Sequence, residues 1–217
     1  MISKRLRTIG DLIDNEESVT DVGCDHGFLA VYLRQKGNTA HLICADSKSG
    51  PLSQGRKNLD AMGIENVDMV LSDGLREIDE VTDVIVMAGM GYHTVQHIMT
   101  DSADKFAGCR KIIIQVNTDS DKMRRWLNEQ GYRIIKERIL KDYKYYEIIV
   151  VRKGRQYLSE EEITFGPALL EEKSEVFREC YRTKRDKLAR VVEKLPEDHE
   201  DRDGLLRQIA EIEKYAL

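Results

Sequence analysis

The stretch that decides the fold is SVTDVGCDHGFLAVYLRQK, residues 18–36. It begins with a short apolar run at 18–23, passes through a turn that contains Gly23 and Gly27, and ends in a helix-like segment at 27–36. A strand, a glycine-rich turn and an amphipathic helix in this order are typical of the first βα unit of an open α/β sheet that binds a nucleotide-like ligand. The same alternation is therefore expected along the chain.

Four further apolar runs follow, at 40–46, 67–73, 83–89 and 111–117. Helix-like segments come after them, at 49–62, in a short piece after Gly74, at 91–100 and at 118–130. Apolar strands that alternate with helices predict a parallel sheet covered on both faces.

The last two β-rich runs, at 132–140 and 145–153, are separated only by a short polar link. Because no helix lies between them, they predict a hairpin at the sheet edge, with the last strand antiparallel to the rest. This outline favours the seven-stranded Rossmann-like methyltransferase sheet over the all-parallel dinucleotide fold. We assign residues 1–154 to this α/β domain.

Residues 155–217 are predicted to form a C-terminal antiparallel helical hairpin that resembles a coiled coil. One strong breaker, around Pro196, interrupts a sequence that otherwise has helical spacing. Positions at alternating steps of four and three form a partly polar seam on each side of it. They are Leu170, Ser174, Phe177, Tyr181, Lys184, Leu188, Val191 and Leu195, then Leu205, Ile209, Ile212 and Ala216.

Composition and charge narrow the class of protein. No secretory signal or membrane-length apolar run is present, and four cysteines without a CxxC pair fit reduced thiols rather than zinc. We expect a cytoplasmic monomer with no metal and no membrane partner. The net charge of −5 speaks against nucleic acid, but basic clusters at 4–7, 122–125 and 182–190 could follow phosphates. Solvated helix faces would explain the clusters equally well.

The glycine turn indicates the kind of ligand. Its pattern is Asp-x-Gly-x-x-x-Gly, beginning at Asp21, and it lacks the GxGxxG of a pyrophosphate-binding turn. An acid ahead of the first glycine suits a ligand with a cationic ammonium group, such as S-adenosylmethionine. A tight turn with no ligand is the alternative.

Polar residues end the other strands. Asp46 could accept both hydrogens of a ribose diol, and Asp73 before Gly74 could accept from an adenine amino group, although caps and turns use the same residues. The small residues of MAGMG, 87–91, leave room at the end of the fourth strand, where methyl donor and acceptor should meet. Candidates to orient an acceptor are His26, Tyr92, His93 and Asn117.

Together these residues resemble the bacterial tRNA adenine-22 N1-methyltransferase family over essentially the full length. The resemblance is carried by SKRLRTIG (3–10), DVGCDHGFL (21–29), GPLSQGRKNL (50–59), LSDGL (71–75), AGMG (88–91), the Gln and Asn of QVN (115–117), WLNEQGYRI (126–134), YYEIIVV (145–151) and FGPALL (165–170). Three positions differ from the family pattern: Tyr92 replaces a glycine, Val116 a proline, and Asp46 the commoner glutamate.

The resemblance implies S-adenosylmethionine as the donor, adenine N1 in tRNA as the acceptor, and a C-terminal domain that helps to grip the tRNA. The cofactor-binding set is Asp21, Gly23, Asp25, Gly27, Asp46, Asp73, Gly74, Ala88, Gly89 and Met90. His26 and Asn117 are the catalytic candidates, with Asp25 steadying His26. The tRNA-binding candidates are Lys4, Arg5, Arg7, Arg182, Lys184 and Arg185.

Three other functions stay open from the sequence. The chain could methylate another RNA adenine, or it could bind cofactor or RNA without catalysis, with Tyr92 blocking transfer. A nicotinamide-dependent oxidoreductase is disfavoured by the missing third glycine and by the terminal hairpin.

Overall fold

The computed structural model, which describes residues 2–217, is organised around one seven-stranded sheet. Its strands in chain order are β1 (Val19–Val22), β2 (Leu42–Asp46), β3 (Val67–Leu71), β4 (Val84–Met90), β5 (Lys111–Val116), β6 (Tyr132–Lys141) and β7 (Tyr145–Lys153). They lie in the order β3-β2-β1-β4-β5-β7-β6. Strands β1 to β5 are parallel, and β7 pairs antiparallel with β5 and β6. The predicted sheet with its antiparallel hairpin is confirmed.

Helices cover both faces of this sheet. They are α1 (Lys4–Gly10), α2 (Phe28–Gln35), α3 (Ser49–Ala61), α4 (Tyr92–Asp101), α5 (Ala103–Gly108) and α6 (Ser120–Glu129). The first three pack on one face and the last three on the other. In β4, Val84 and Val86 point to the first face while Ile85 and Met87 point to the second. Because both faces of β4 are covered by helices, each of these four positions must be apolar.

The strand order creates a cleft at one edge of the sheet. The chain builds β2 and β3 on one side of β1 and then places β4 and β5 on the other side. Helices leave β1 and β4 toward opposite faces, so the carboxyl ends of these two strands open a crevice, the place where open α/β sheets bind ligands.

The sequence prediction was wrong in two places within this domain. No helix forms after Gly74, where residues 74–77 make turns instead. The Ser72 hydroxyl donates to the Gly74 carbonyl, and the Glu77 carboxylate accepts from the Asp73 amide, so local side chains satisfy the backbone in place of a helix. In addition, α5 was not predicted.

The C-terminal segment contains more helices than its spacing predicted. They are α7 (Glu160–Phe165), α8 (Pro167–Glu172), α9 (Glu175–Val192), α10 (Arg202–Glu211) and a terminal π-helical turn at Ile212–Ala216. The expected continuous helix before Pro196 is wrong, because the backbone takes positive φ at Gly166 (89°) and Lys173 (41°). Ser174 then caps α9 by accepting from the Phe177 amide.

Helices α9 and α10 form the predicted antiparallel hairpin. Arg202 at the start of α10 donates to the carbonyl of Val192 at the end of α9, over 2.6 Å. At the other end, Arg178 near the start of α9 donates to the carbonyl of Leu217, over 2.9 Å. The seam is only partly as expected, since Val191 is 41 % exposed and Val192 is buried in its place.

A buried ion network joins this hairpin to the sheet. The guanidinium of Arg124 on α6 contacts Glu137 on β6 at 2.7 Å and Glu147 on β7 at 2.6 Å, and the side chains of Arg124 and Glu137 are fully buried. Lys184 on α9 reaches Glu147 at 3.6 Å. The helical hairpin is therefore anchored on β6 and β7, and the domain division after residue 154 stays a prediction.

Candidate cofactor and acceptor site

The crevice at the carboxyl ends of β1 to β4 contains a cavity of about 510 Å³. Of the ten predicted cofactor-binding residues, nine line it: Asp21, Gly23, Asp25, Asp46, Asp73, Gly74, Ala88, Gly89 and Met90. The tenth, Gly27, lies beside it at the start of α2, facing the backbone of Gly55 on α3. The sequence thus located the cavity, and the binding roles of these residues stay predictions.

The glycine turn after β1 is held against β2. The amides of Gly23 and Cys24 both donate to the carbonyl of Ala45, at 2.8 and 3.0 Å. Gly23 has φ of +72°, a conformation that side chains other than glycine's adopt only with strain. The backbone of the turn can thus form one wall of the cavity without a side chain in the way.

Asp21 is a buried acid at the bottom of this site, only 7 % exposed. Burial raises the pKa of its carboxyl to about 7; the Arg5 guanidinium lowers it and the Asp46 carboxylate raises it, both to a smaller extent. A carboxyl with this pKa is half protonated at neutral pH. Its charge therefore depends on what enters the cavity.

Asp46 ends β2 with its carboxylate in the cavity wall. One oxygen accepts from the Asp25 amide at 3.3 Å and the other from the Lys48 amide at 2.9 Å. Each carboxylate oxygen has two lone pairs, so both can still accept from a ligand. Asp46 therefore organises its loop and keeps the acceptor capacity that a ribose diol needs, and its role in binding a ribose stays a prediction.

Asp73 occupies the cavity beyond β3 but is already engaged. One of its oxygens accepts from Arg76 at 2.8 Å, and Arg76 also contacts Asp101 at 2.6 Å. Beside it, Ser72 is 3 % exposed and also lines the cavity. Ser72 and Asp73 both follow β3. The Ser-Asp-Gly motif put both residues at this strand end, but Ser72 was not predicted as a cavity residue because the same motif is common in turns.

The end of β4 bulges between Ala88 and Met90. Gly89, at the bulge, has φ of +81°, and a Cβ there would lie 2.8 Å from an Arg5 guanidinium nitrogen. Asn117, which follows β5, donates from its side-chain amide to the Gly89 carbonyl at 2.7 Å. The predicted catalytic residue Asn117 thus fixes the strand end that faces the cavity, although its own exposed side chain does not line the cavity.

The other catalytic candidate is less favourably placed. His26 does not line the cavity; its Nε2 lies 3.5 Å from an Asp25 oxygen, as the expected pairing required. Its Nδ1 is buried with no hydrogen-bond partner in residues 2–217. Tyr92, which departs from the family pattern, packs its ring 4.9 Å from that of His93 and is not part of the cavity wall.

The structure separates the predicted tRNA-binding residues. Lys4 and Arg7 are exposed on α1, but Arg5 lines the cavity, where it donates to the buried Gln115 side chain at 2.5 Å. Arg5 therefore faces the cavity rather than an exposed surface, because α1 packs over the sheet edge and turns this side chain inward.

On α9 the predicted cations all have acidic neighbours. Arg182 lies 4.0 Å from Glu175, and Lys184 belongs to the buried network through Glu147. Arg185 contacts Asp186 at 2.8 Å and Glu213 at 3.3 Å. Because these carboxylates partly neutralise the three cations, the helix offers less positive charge to a phosphate than the sequence cluster suggested.

Some cavity residues were not predicted. Phe28, Pro51 and Ile98 supply apolar wall, and Lys48 and Thr94 supply polar groups. Phe28 directly follows the second glycine of the turn, a position that could have been inferred from the βα geometry. Of the others, Pro51 lies on α3, Thr94 and Ile98 lie on α4, and Lys48 directly precedes α3, so they meet only in the folded chain.

The antiparallel β7 in an otherwise parallel sheet places the chain among Rossmann-like methyltransferases rather than dinucleotide-binding proteins. The sequence profile described as TrmK, tRNA (adenine(22)-N(1))-methyltransferase, matches residues 19–214. The chain belongs to this family.

Individual relatives agree with this assignment. The chain is 31% identical over 185 residues to the tRNA (adenine(22)-N(1))-methyltransferase of Bacillus subtilis (strain 168), covering 81% of this chain and 78% of that protein. The crystal structure of Sp1610 from Streptococcus pneumoniae superposes with a TM-score of 0.93 at 32% identity, over 100% of both chains. A structure of Sp1610 in complex with S-adenosyl-L-methionine superposes with a TM-score of 0.90, at the same identity and coverage.

Two further observations concern membranes and metals. Across residues 2–217, no helix combines the length and apolar character needed to cross a bilayer. In the same described part of the chain, no three His, Cys, Asp or Glu side chains are grouped so that they could hold a metal ion.

Proposed function

We propose that this chain transfers a methyl group from S-adenosylmethionine to N1 of adenine 22 in tRNA. The observation that carries the proposal is the full-length similarity to a protein with bound S-adenosyl-L-methionine, together with a cavity whose acids lie at the ends of successive strands. We also propose that the protein works in the cytoplasm as a monomer, where its tRNA substrate would be found.

The chemistry of the cavity residues fits the parts of this cofactor. We assign Asp46 to the ribose hydroxyls and Asp73 with Ser72 to the adenine ring. Asp21 and Arg5 together suit a zwitterionic amino-acid end, with the carboxylate of Asp21 for the ammonium group and the guanidinium of Arg5 for the carboxylate. When bound, the cofactor supplies a methyl group on a positively charged sulfur.

The protein has to position the acceptor rather than activate it. Adenine N1 carries an in-plane lone pair and can attack without losing a proton first, so no strong base is needed. Holding two reacting groups at near-attack distance can itself supply about 7–11 kcal/mol of barrier reduction. We assign this task to the Gly89 bulge and to Asn117, which holds the bulge by its 2.7 Å hydrogen bond.

The acceptor must also be reachable. In a paired arm of tRNA, N1 faces the partner base, so the adenine has to be unpaired or turned out of the helix. Lys4 and Arg7 are exposed on α1 next to the cavity and can contact phosphates. We propose that α1 and the α9–α10 hairpin together hold the tRNA while the adenine enters.

Mapping the methylated nucleoside tests this function. The protein is incubated with labelled S-adenosylmethionine and either wild-type tRNA or tRNA with guanine at position 22, and the products are digested and analysed by mass spectrometry. We expect 1-methyladenosine at position 22 only, and none with the substituted tRNA or with Asp46→Ala protein. Methylation of another adenine would support the second candidate acceptor, and no methylation would reduce the chain to a binding module.

A further inference from the structure

The turn between β6 and β7 exposes an aromatic residue beside the cavity. Tyr143, in the middle of this turn, is 83 % exposed. We call residues 141–146, with the sequence Lys-Asp-Tyr-Lys-Tyr-Tyr, the aromatic turn. Packing within the fold gives no reason for a ring in this position, because almost all of its surface is in contact with solvent.

Strand pairing places the aromatic turn at the same edge of the sheet as the cavity. Because β7 runs antiparallel to β5, with Ile149 opposite Ile114, the start of β7 lies beside the end of β5. Tyr146, at this start, packs under the Arg5 guanidinium at 5.5 Å from the ring centroid. Since Arg5 lines the cavity, only one side chain separates Tyr146 from the cavity.

The ring of Tyr143 is held but not covered. The Tyr146 ring meets it edge to face, with centroids 5.6 Å apart and an interplanar angle of 82°. Tyr146 is itself 4 % exposed, so it is a fixed support. An exposed aromatic ring that rests on a buried one presents a stable surface on which a flat group can stack.

Two cations lie near this ring, Lys144 beside it and Lys4 at the start of the turn. The Lys144 ammonium lies 5.0 Å from the Tyr146 centroid and 6.0 Å from that of Tyr143. Lys4 donates to the carbonyl of Lys141 at 3.1 Å, which brings α1 to the turn. Within residues 2–217, neither Lys4 nor Lys144 has a carboxylate within 4.0 Å. Lys141 is paired with Glu179 at 2.5 Å, and Asp142 is the one acid in the turn.

We propose that the aromatic turn binds an unpaired RNA nucleotide next to the adenine that is methylated. Tyr143 stacks on its base, and Lys144 and Lys4 contact the phosphates on either side. Aromatic rings interleaved with cations are the usual surface for single-stranded nucleic acid, because every base has a face to stack and every linkage a charge. This inference rests on the proposed function, and it adds a second anchoring point for the RNA outside the cavity.

Tyrosine substitutions in the full-length protein test the proposal. Tyr143→Ala should raise the KM for tRNA about tenfold with little change in kcat, a loss typical of one stacked base. Tyr143→Phe should keep near wild-type values, because it keeps the ring. The matched control is Tyr157→Ala, since Tyr157 is 91 % exposed but follows the other end of β7. S-adenosylmethionine affinity should be the same in all three variants.

A fluorescent base identifies the contact directly. Transfer RNA with 2-aminopurine next to position 22 should lose fluorescence on binding wild-type protein and Tyr143→Phe, but much less on binding Tyr143→Ala. Lys144→Gln should make the slope of log tRNA affinity against log salt concentration shallower by about one, the change expected for the loss of one phosphate contact. Equal tRNA KM and equal quenching for Tyr143→Ala and wild type would overturn the inference alone. A wild-type protein that binds no tRNA would overturn the proposed function as well.

Discussion

Replacing Asp21 with asparagine should remove a pH dependence from cofactor binding. The carboxyl of Asp21 has a pKa of about 7, raised mainly by burial. An ammonium group placed beside it would favour the ionised form and lower this pKa again. Binding should therefore release a proton whenever the free protein carries one on Asp21, and affinity should rise with pH through about 7.

The size of the effect follows from the fraction of ionised Asp21. At about pH 6 roughly one molecule in ten is ionised, and at about pH 7 roughly half are. If only the ionised form binds, the dissociation constant should fall about fivefold over this interval. The ligand's own ammonium group changes little there, because its pKa lies near ~8.

Calorimetric titration at both pH values, each in two buffers of different ionisation enthalpy, measures the affinity and the protons released. Wild-type protein should release about half a proton per ligand near ~pH 7. Asp21→Asn should bind more weakly but equally at both pH values. Asp60→Asn, which changes an exposed carboxylate on α3, should keep the wild-type slope.

Two results would refute this reasoning. The first is a wild-type affinity that is the same at both pH values, which would mean that Asp21 does not change its charge on binding. The second is an unchanged slope in Asp21→Asn, which would assign the proton to another group.

Three more predictions concern stability and cofactor binding. Arg124→Ala should lower the free energy of unfolding by about 3–5 kcal/mol, because it leaves Glu137 buried and unpaired. Arg125→Ala, which breaks an exposed ion pair, should lower it by less than ~1 kcal/mol, and urea denaturation measures both. Burial raises the pKa of Asp21 in the folded state, so the folded protein favours the protonated carboxyl. The resulting contribution to the free energy of unfolding is fully present below ~pH 4 and is lost as pH rises through about 7, where the buried carboxyl ionises. Ligand-free Asp21→Asn should therefore gain up to about 4 kcal/mol over wild type at about pH 8, and equal stability there would contradict the burial argument. Arg5→Met should weaken cofactor binding at least ~10-fold through loss of a charge-assisted hydrogen bond, whereas Lys4→Met should leave it unchanged.

The residues that meet at the carboxyl edge of the sheet could be predicted from the sequence, because parallel strands all end at the same edge. The acids Asp21, Asp46 and Asp73 lie at or near the ends of successive apolar runs, and the carboxyl ends of parallel strands meet at one edge. The small residues of MAGMG, among them Gly89, were expected at the same edge, but the bulge at Gly89 was not predicted. Nothing beyond this periodicity was needed to bring these residues to one cavity.

The position of Arg5 could not be predicted in this way. In the sequence it belongs to a basic cluster, and a solvated helix face is the ordinary explanation for such a cluster. Only the packing of α1 over the sheet edge, with Gln115 buried beneath it, turns the guanidinium of Arg5 toward Asp21. Contacts between residues 110 positions apart leave no local pattern.

The breaks in the C-terminal helices have a similar long-range origin. A Cβ on Gly166 would lie 2.7 Å from a Glu137 oxygen and 2.8 Å from an Arg124 nitrogen, so the backbone there closes over the buried ion network. The heptad spacing begins at Leu170 and runs across the second break, at Lys173, which it conceals. The same network explains why Lys184, a charged residue, occupies a position on the seam.

A titration with S-adenosylmethionine tests the central claim, that this cavity is shaped for a sulfonium nucleoside. Wild-type protein should bind one equivalent, Asp46→Ala should bind much more weakly, and NAD should produce no saturable heat with either. Saturable binding of NAD with no heat from S-adenosylmethionine at millimolar concentration would contradict the account.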